Sequence, residues 1–164
     1  RIPPDAGSIH HECEIVLHMS RDAYRMSVDD AEDAYDYVTL GLDMTLRDRQ
    51  AELKKQGHPW ETSKVFMDSA VIGPWINCRD FPKFLEEKFT FSLEGTEKQS
   101  GLGRSMSFKP EECIAYISSF FPLKAGDIIF TGTPAGVGPV ESGQRGDLVW
   151  GPLRYSVRWS KFEV

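Results

Sequence analysis

No apolar run in this 164-residue sequence approaches the ~18 residues that mark a membrane-spanning helix, so no membrane partner is expected. Cysteine is scarce. Cys13, Cys78 and Cys113 make an odd number at spacings that match no zinc pattern, and the simpler expectation is a reducing, intracellular compartment, cytoplasm or mitochondrial matrix. Positive charge is the minority sign. With 19 basic against 25 acidic residues the net charge is −6, which argues against nucleic acid, whose phosphates require a basic face. Small anions are not excluded, because a metal and two or three local cations suffice to hold them.

Several catalytic signatures are also missing. The glycine-rich residues 131–139 carry no Gly-Lys-Ser/Thr and so form no P-loop. They form no dinucleotide fingerprint either, since the spacing is wrong and Pro134 and Pro139 block a helix. There is no Gly-x-Ser-x-Gly elbow, and the four histidines include no His-Glu-x-x-His pair. What remains of residues 131–139 is a strand end and a tight loop with free backbone N–H groups. Such a loop either approaches a carboxylate or oxyanion closely or is a plain structural turn. Thr133 adds a hydroxyl to it.

The composition, 40% hydrophobic and 27% charged, fits one globular domain with a sizeable core. Residues 9–19 read as a strand, and Asp29 and Asp30 as the acidic N-terminus of a short helix over 31–37. Residues 38–44 read as a strand ending on Asp43, followed by a helix capped by Thr45, running through Gln56 and stopped by Gly57. Residues 70–76 read as a buried strand interrupted by Gly-Pro, and 88–99 as a hairpin turning at Glu94-Gly95. Pro110 opens a helix with an apolar stripe of Ile114, Ile117 and Phe121. A core strand at 128–130 and two short strands about Gly151-Pro152, within 147–164, complete the chain. Strands outnumber scattered short helices, which predicts a β-rich α+β fold with a curved or rolled antiparallel sheet.

The chemistry gathers at His10-His11-Glu12-Cys13-Glu14. On a strand, Glu12 and Glu14 point to one face, roughly 6–7 Å apart. Two carboxylates so close need a cation between them or a shared proton, unless the strand is a solvated edge. Carboxylate oxygens suit Mg²⁺, Mn²⁺ or Ca²⁺. Asp43, ending an apolar strand, either caps the next helix or completes a three-carboxylate site. Arg47 and Gln50 share a helical face from which they can orient an acidic substrate. Cys13 faces away from the glutamates and reads as core.

Taken together, His10-His11-Glu12-x-Glu14, Leu42-Asp43-Met44-Thr45-x-Arg47-Asp48-x-Gln50, Lys54-Lys55-x-Gly57-x-Pro59-Trp60, Lys64, and Gly126-Asp127-Ile128-Ile129-x-Thr131-Gly132-Thr133-Pro134-x-Gly136-Val137-Gly138-Pro139 resemble the fumarylacetoacetate hydrolase family. The match is to its acylpyruvate hydrolase and oxaloacetate decarboxylase branch. The resemblance implies the family's mixed β-sandwich roll of the fumarylacetoacetase C-terminal type, and a homodimer. It implies a divalent metal, usually Mg²⁺, on Glu12, Glu14 and Asp43. It implies Arg47, Gln50, Lys64 and Thr133 as substrate contacts, with Lys64 and Thr133 stabilising charge during catalysis.

The activity so implied is metal-dependent cleavage of a C–C bond in small 2-oxo acids. Acylpyruvate is hydrolysed to pyruvate and a carboxylate, or oxaloacetate loses CO₂, through the same enolate. Related members isomerise or decarboxylate 2-hydroxyhepta-2,4-diene-1,7-dioate-type diacids in aromatic catabolism. The family's Gly-x-Asn-Tyr segment, with the His and Glu that activate water on a mobile lid, has no match in the sequence. The expectation is therefore a single catalytic domain over 1–164 without its N-terminal lid. A truncated domain that only binds metal or dimerises is the reading from a different class.

Overall fold

The computed structural model describes residues 1–162. In chain order its strands are β1 (Ile9–His11), β2 (Cys13–Met19), β3 (Tyr35–Asp43), β4 (Thr45–Leu46), β5 (Ala70–Ile72), β6 (Ile76–Asn77), β7 (Lys88–Leu93), β8 (Thr96–Leu102), β9 (Ile128–Phe130), β10 (Gly138–Pro139), β11 (Arg145–Trp150) and β12 (Leu153–Arg158). The helices are α1 (Val28–Ala31), α2 (Arg47–Gln56), α3 (Glu61–Lys64) and α4 (Pro110–Phe120). One sheet runs β5-β3-β2-β9, with β6 also on β3; a second runs β12-β11-β7-β8; a small third runs β10-β1-β4. The strand pairings are antiparallel, and a parallel bridge joins Ile2 to Lys161. The fold is β-rich with few helices, as the sequence predicts. No helix among the described residues is long and apolar enough to cross a membrane.

Alternation decides which face is which. Cys13, Ile15 and Leu17 of β2 stand opposite Leu42, Leu40 and Val38 of β3, and all six are buried. They meet Phe91, Leu148 and Trp150 from the second sheet in one hydrophobic cluster. Tyr155 ties the two sheets by donating its hydroxyl to the Leu40 carbonyl at 2.9 Å. The Cys13 thiol lies inside this core, and burial pushes its pKa up, so it is inert. The other face of β2 and β3 carries Glu14, Gly41 and Asp43.

Several elements differ from the sequence reading. The strand expected at 9–19 bends at Glu12, where the chain passes from the small sheet to the large one. The first helix lies earlier, because Ser27 caps it by accepting the Asp30 N–H, and Tyr35 already belongs to β3. Thr45 is not a cap; it belongs to β4, and α2 starts at Arg47 without a side-chain cap. Gly57 does end that helix, at φ 68°, with its N–H returning to Leu53 and Lys54. Residues 70–76 form two short strands flanking Gly-Pro, with Ala70 and Ile72 exposed. Phe121 terminates α4 and is exposed, so the buried face of that helix is Ile114 with Ser118. Both hairpins form where expected, the second ending at Arg158; residues 163–164 of the predicted tail lie outside the described residues.

Gly41 sits opposite Glu14 at a point with no room for a side chain. A β-carbon there would lie 2.7 Å from the Val71 carbonyl oxygen, 2.8 Å from Val16 Cγ2 and 2.9 Å from the Phe130 ring. Gly41→Ala should therefore destabilise the protein by about 1–3 kcal/mol, from overpacking between two strands. Thermal denaturation reads this directly, and an unchanged midpoint would refute the packing argument.

Candidate metal centre

Three carboxylates converge on the non-core face of the main sheet. Glu12 lies across from Asp43, whose backbone N–H donates to the Glu12 carbonyl at 2.9 Å, and Glu14 follows two residues along. One oxygen from each of Glu12, Glu14 and Asp43 lies within 4.8 Å of the others. The arrangement follows from register: even-numbered residues of β2 and odd-numbered residues of β3 share a face. Glu12 and Glu14 are buried and Asp43 is half-buried.

Two helix ends bring positive charge to this cluster. Lys64, the last residue of α3, donates to Glu12 Oε2 at 2.7 Å, Asp43 Oδ2 at 2.6 Å and Thr45 Oγ1 at 2.8 Å. Its three ammonium protons are thereby all engaged. Arg47, the first residue of α2, donates to Glu12 Oε1 at 2.5 Å and to Gln50 Oε1 at 2.7 Å. Gln50 is buried, and its amide NH₂ makes no hydrogen bond among the described residues. His10 lies behind Arg47 and accepts from its Nε at 3.3 Å.

The charges are unevenly matched. Burial works against an ionised Glu12, but Lys64 and Arg47 outweigh it and hold the carboxyl below its ordinary range. Burial raises Asp43, and Lys64 offsets this only in part. Glu14 makes no ion pair among the described residues. Its partner is the Gly132 N–H, which donates to Oε2 at 2.6 Å. Burial pushes Glu14 up to about 7, with Asp43 and Glu12 adding to the rise. Three convergent oxygen donors, with too little positive charge among them, are what a hard divalent cation satisfies.

The structure thus brings Glu12, Glu14, Asp43, Arg47, Gln50 and Lys64 into one cluster, with Thr133 one residue from the loop N–H that reaches Glu14. The Thr133 hydroxyl, expected to face a substrate, instead donates to the Cys13 carbonyl at 2.8 Å. The same loop walls a cavity of about 450 Å³ lined by Phe89, Leu102, Met106 and Phe108. Sequence reasoning missed Thr45, though it alternates with Asp43 and so shares its face. It also missed Gln99, whose link to the loop spans 34 residues and has no local signal.

A model of the fumarylacetoacetate (FAA) hydrolase C-terminal family matches residues 1–155. Oxaloacetate tautomerase YcgM of Escherichia coli (strain K12) is 38% identical over 143 residues, covering 87% of this chain and 65% of that protein. Fumarylpyruvate hydrolase of Ralstonia sp. is 34% identical over 145 residues, covering 87% of this chain and 74% of that one. Among solved structures, fumarylpyruvate hydrolase from Pseudomonas aeruginosa in complex with Mn²⁺ and pyruvate superposes with a TM-score of 0.93 at 33% identity, over 98% of this chain and 69% of that chain. The chain thus spans about two thirds of the length of such relatives. With the family model matched over nearly all of its length and relatives above 30% identity, the chain belongs to the fumarylacetoacetate hydrolase family.

Proposed function

We propose that this chain is the catalytic domain of a metal-dependent enzyme acting on small 2-oxo acids, through an enolate. The reaction is hydrolysis of an acylpyruvate to pyruvate and a carboxylate, decarboxylation of oxaloacetate, or both. The observation that carries this reading is the convergence of Glu12, Glu14 and Asp43 beside two cations and a loop of backbone donors. Glu12, Glu14 and Asp43 would hold the metal, with Mg²⁺ the proposed ion and Mn²⁺ or Ca²⁺ compatible with the same oxygens. A metal bound there supplies a Lewis acid for the charge that develops on the 2-oxo oxygen.

The side chains divide the remaining work. Gln50 offers its free NH₂ to the substrate carboxylate, and Arg47 fixes that amide while neutralising Glu12. Lys64 holds Glu12 and Asp43 apart from mutual repulsion; a cation that takes over those oxygens frees its ammonium to face the substrate. The loop at Thr133 places backbone N–H donors at the same edge, suited to a developing oxyanion. Among the described residues the cavity beyond the loop is lined by uncharged side chains, which favours an uncharged acyl tail over the second carboxylate of a longer diacid. Hydrolysis also needs a base to take a proton from water, and that base is a group outside this cluster. A homodimer in the cytoplasm or mitochondrial matrix completes the proposal.

A second reading is favoured by the tautomerase relative. Keto–enol exchange of oxaloacetate passes through the same enolate without breaking a C–C bond. Release of pyruvate from oxaloacetate or acetylpyruvate supports cleavage. Loss of enol absorbance with no pyruvate formed supports exchange.

With Mg²⁺ or Mn²⁺ present, the intact protein should release pyruvate from acetylpyruvate or oxaloacetate, and Glu14→Gln or Asp43→Asn should lower the rate by about 100-fold or more. Rates equal to wild type in both variants would sink the metal assignment. Metal binding should also depend on pH, because a proton on Glu14 must leave first. Its pKa is raised to about 7, so the carboxylate is available above that value and protonated below it. Mn²⁺ affinity measured by calorimetry should therefore level off above pH 7 and weaken by up to about tenfold per pH unit below it. Affinity flat from pH 5 to 8 would contradict the geometry.

A further inference from the structure

The Thr133 loop is held in place by a residue from the opposite sheet. Gln99 of β8 is only 1% exposed, and its amide uses all four of its hydrogen-bonding positions. Its Oε1 accepts from the Cys13 N–H at 3.0 Å and lies 2.8 Å from His11 Nδ1. Its Nε2 donates to Thr133 Oγ1 at 2.8 Å and to the Pro134 carbonyl at 3.0 Å. The orientation is forced: a flipped amide would turn NH₂ toward an N–H and C=O toward a carbonyl. Oε1 has no proton to give, so His11 Nδ1 carries a proton and is the donor.

A second contact pins the same loop to the same strand. Gly136 has φ 101°, and a β-carbon there would lie 2.1 Å from the carbonyl oxygen of Lys98, the residue before Gln99. Just before the first of these points the Gly132 N–H donates to Glu14 Oε2. The Thr133 hydroxyl is consumed inside the strut, giving its proton to Cys13 and taking one from Gln99. The Thr133 backbone N–H makes no hydrogen bond among the described residues.

We propose that Gln99, backed by His11, is a positioning residue that fixes the Thr133 loop beside the carboxylate cluster, so that the loop meets an anionic ligand with the Thr133 backbone N–H while the Thr133 hydroxyl serves as its anchor. The identity of the ligand, a small 2-oxo acid, rests on the function proposed above; the strut itself does not. Neither partner of the contact touches the ligand in this scheme through its side chain. Gln99 and Thr133 then act as one unit, and breaking either end has the same effect.

The test compares Gln99→Met, Thr133→Val and the double variant in the intact protein, with Mn²⁺ as the metal and pyruvate as the probe. Each single variant should weaken pyruvate binding and raise KM by about tenfold, and the double variant should lose about tenfold again in total, not hundredfold, because one unit is broken. Amide hydrogen exchange over residues 131–137 should quicken in Gln99→Met, while Mn²⁺ affinity shifts by less than about threefold. Additive losses, or exchange over 131–137 unchanged from wild type, would overturn the proposal. If Gln99→Met does not fold, Gly136→Ala displaces the loop from its other anchor, and it should produce the same exchange and pyruvate signature; a wild-type signature there overturns the strut. Should the wild-type protein neither bind pyruvate nor turn over 2-oxo acids, the function proposed above fails, and the exchange arm still decides the role of Gln99.

Discussion

Like charges forced together on a buried face set the terms for the rest of this structure. Glu12, Glu14 and Asp43 are brought within 4.8 Å of one another by the register of β2 on β3 and by the bend at Glu12, whose carbonyl accepts the Asp43 N–H. Ionised carboxylates at that separation, withdrawn from water, repel strongly unless positive charge is supplied. Lys64 and Arg47 supply part of it, at distances between 2.5 and 2.7 Å. Both sit at helix ends, so each is delivered by a short element with little freedom to move.

The fold keeps the carboxylates and the apolar core on opposite faces of the same two strands. Alternation sends Cys13, Ile15 and Leu17 into the core and turns Glu14 to the opposite face, so a one-residue slip would put the acid into the apolar core. Gly41 has no side chain to compete with Glu14, and its space is filled by Val16, Val71 and Phe130. The bend at Glu12 lets one strand serve two sheets. One sheet then leads toward β4 and the head of α2, which carries Arg47, and the other toward the loop that reaches Glu14. Site and core are thus two faces of the same pair of strands.

Much of this was legible in the sequence because it rests on short-range periodicity. The Glu-x-Glu spacing, Asp43 at a strand end, the Arg47–Gln50 face, Gly57 as a helix stop and both hairpins depend on residues a few positions apart. Failures came where another local group competed. Ser27 outranks the acidic pair in placing the first helix, and Thr45 extends the sheet instead of capping α2. Phe121 fits a helical stripe by spacing, yet the helix ends at Phe120 and leaves it outside. Gln99 was not legible at all. It sits on a polar strand, and its meaning comes from contacts with Cys13, His11 and Thr133, none of which are near it in the chain.

Charge balance at the cluster bears on how an acidic protein would take the anionic ligand proposed for it. Without a metal, and with Glu14 ionised above about pH 7, three carboxylates face two cations and leave one negative charge in excess, which would repel an anionic ligand. On the proposed reading, a divalent ion reverses that sign to one positive charge in excess and also competes with Lys64 for Glu12 and Asp43. A metal held by Glu12, Glu14 and Asp43 would make the site attractive to a carboxylate, and Lys64, now paired with Glu12 and Asp43, would be the ammonium left to meet it. Order of binding follows from this without any conformational switch, since the ligand has little reason to enter before the metal. The loop held by Gln99 needs no such trigger. Its anchor is a buried amide whose partners are Thr133 and the Pro134 carbonyl, and neither of these contacts involves the carboxylates.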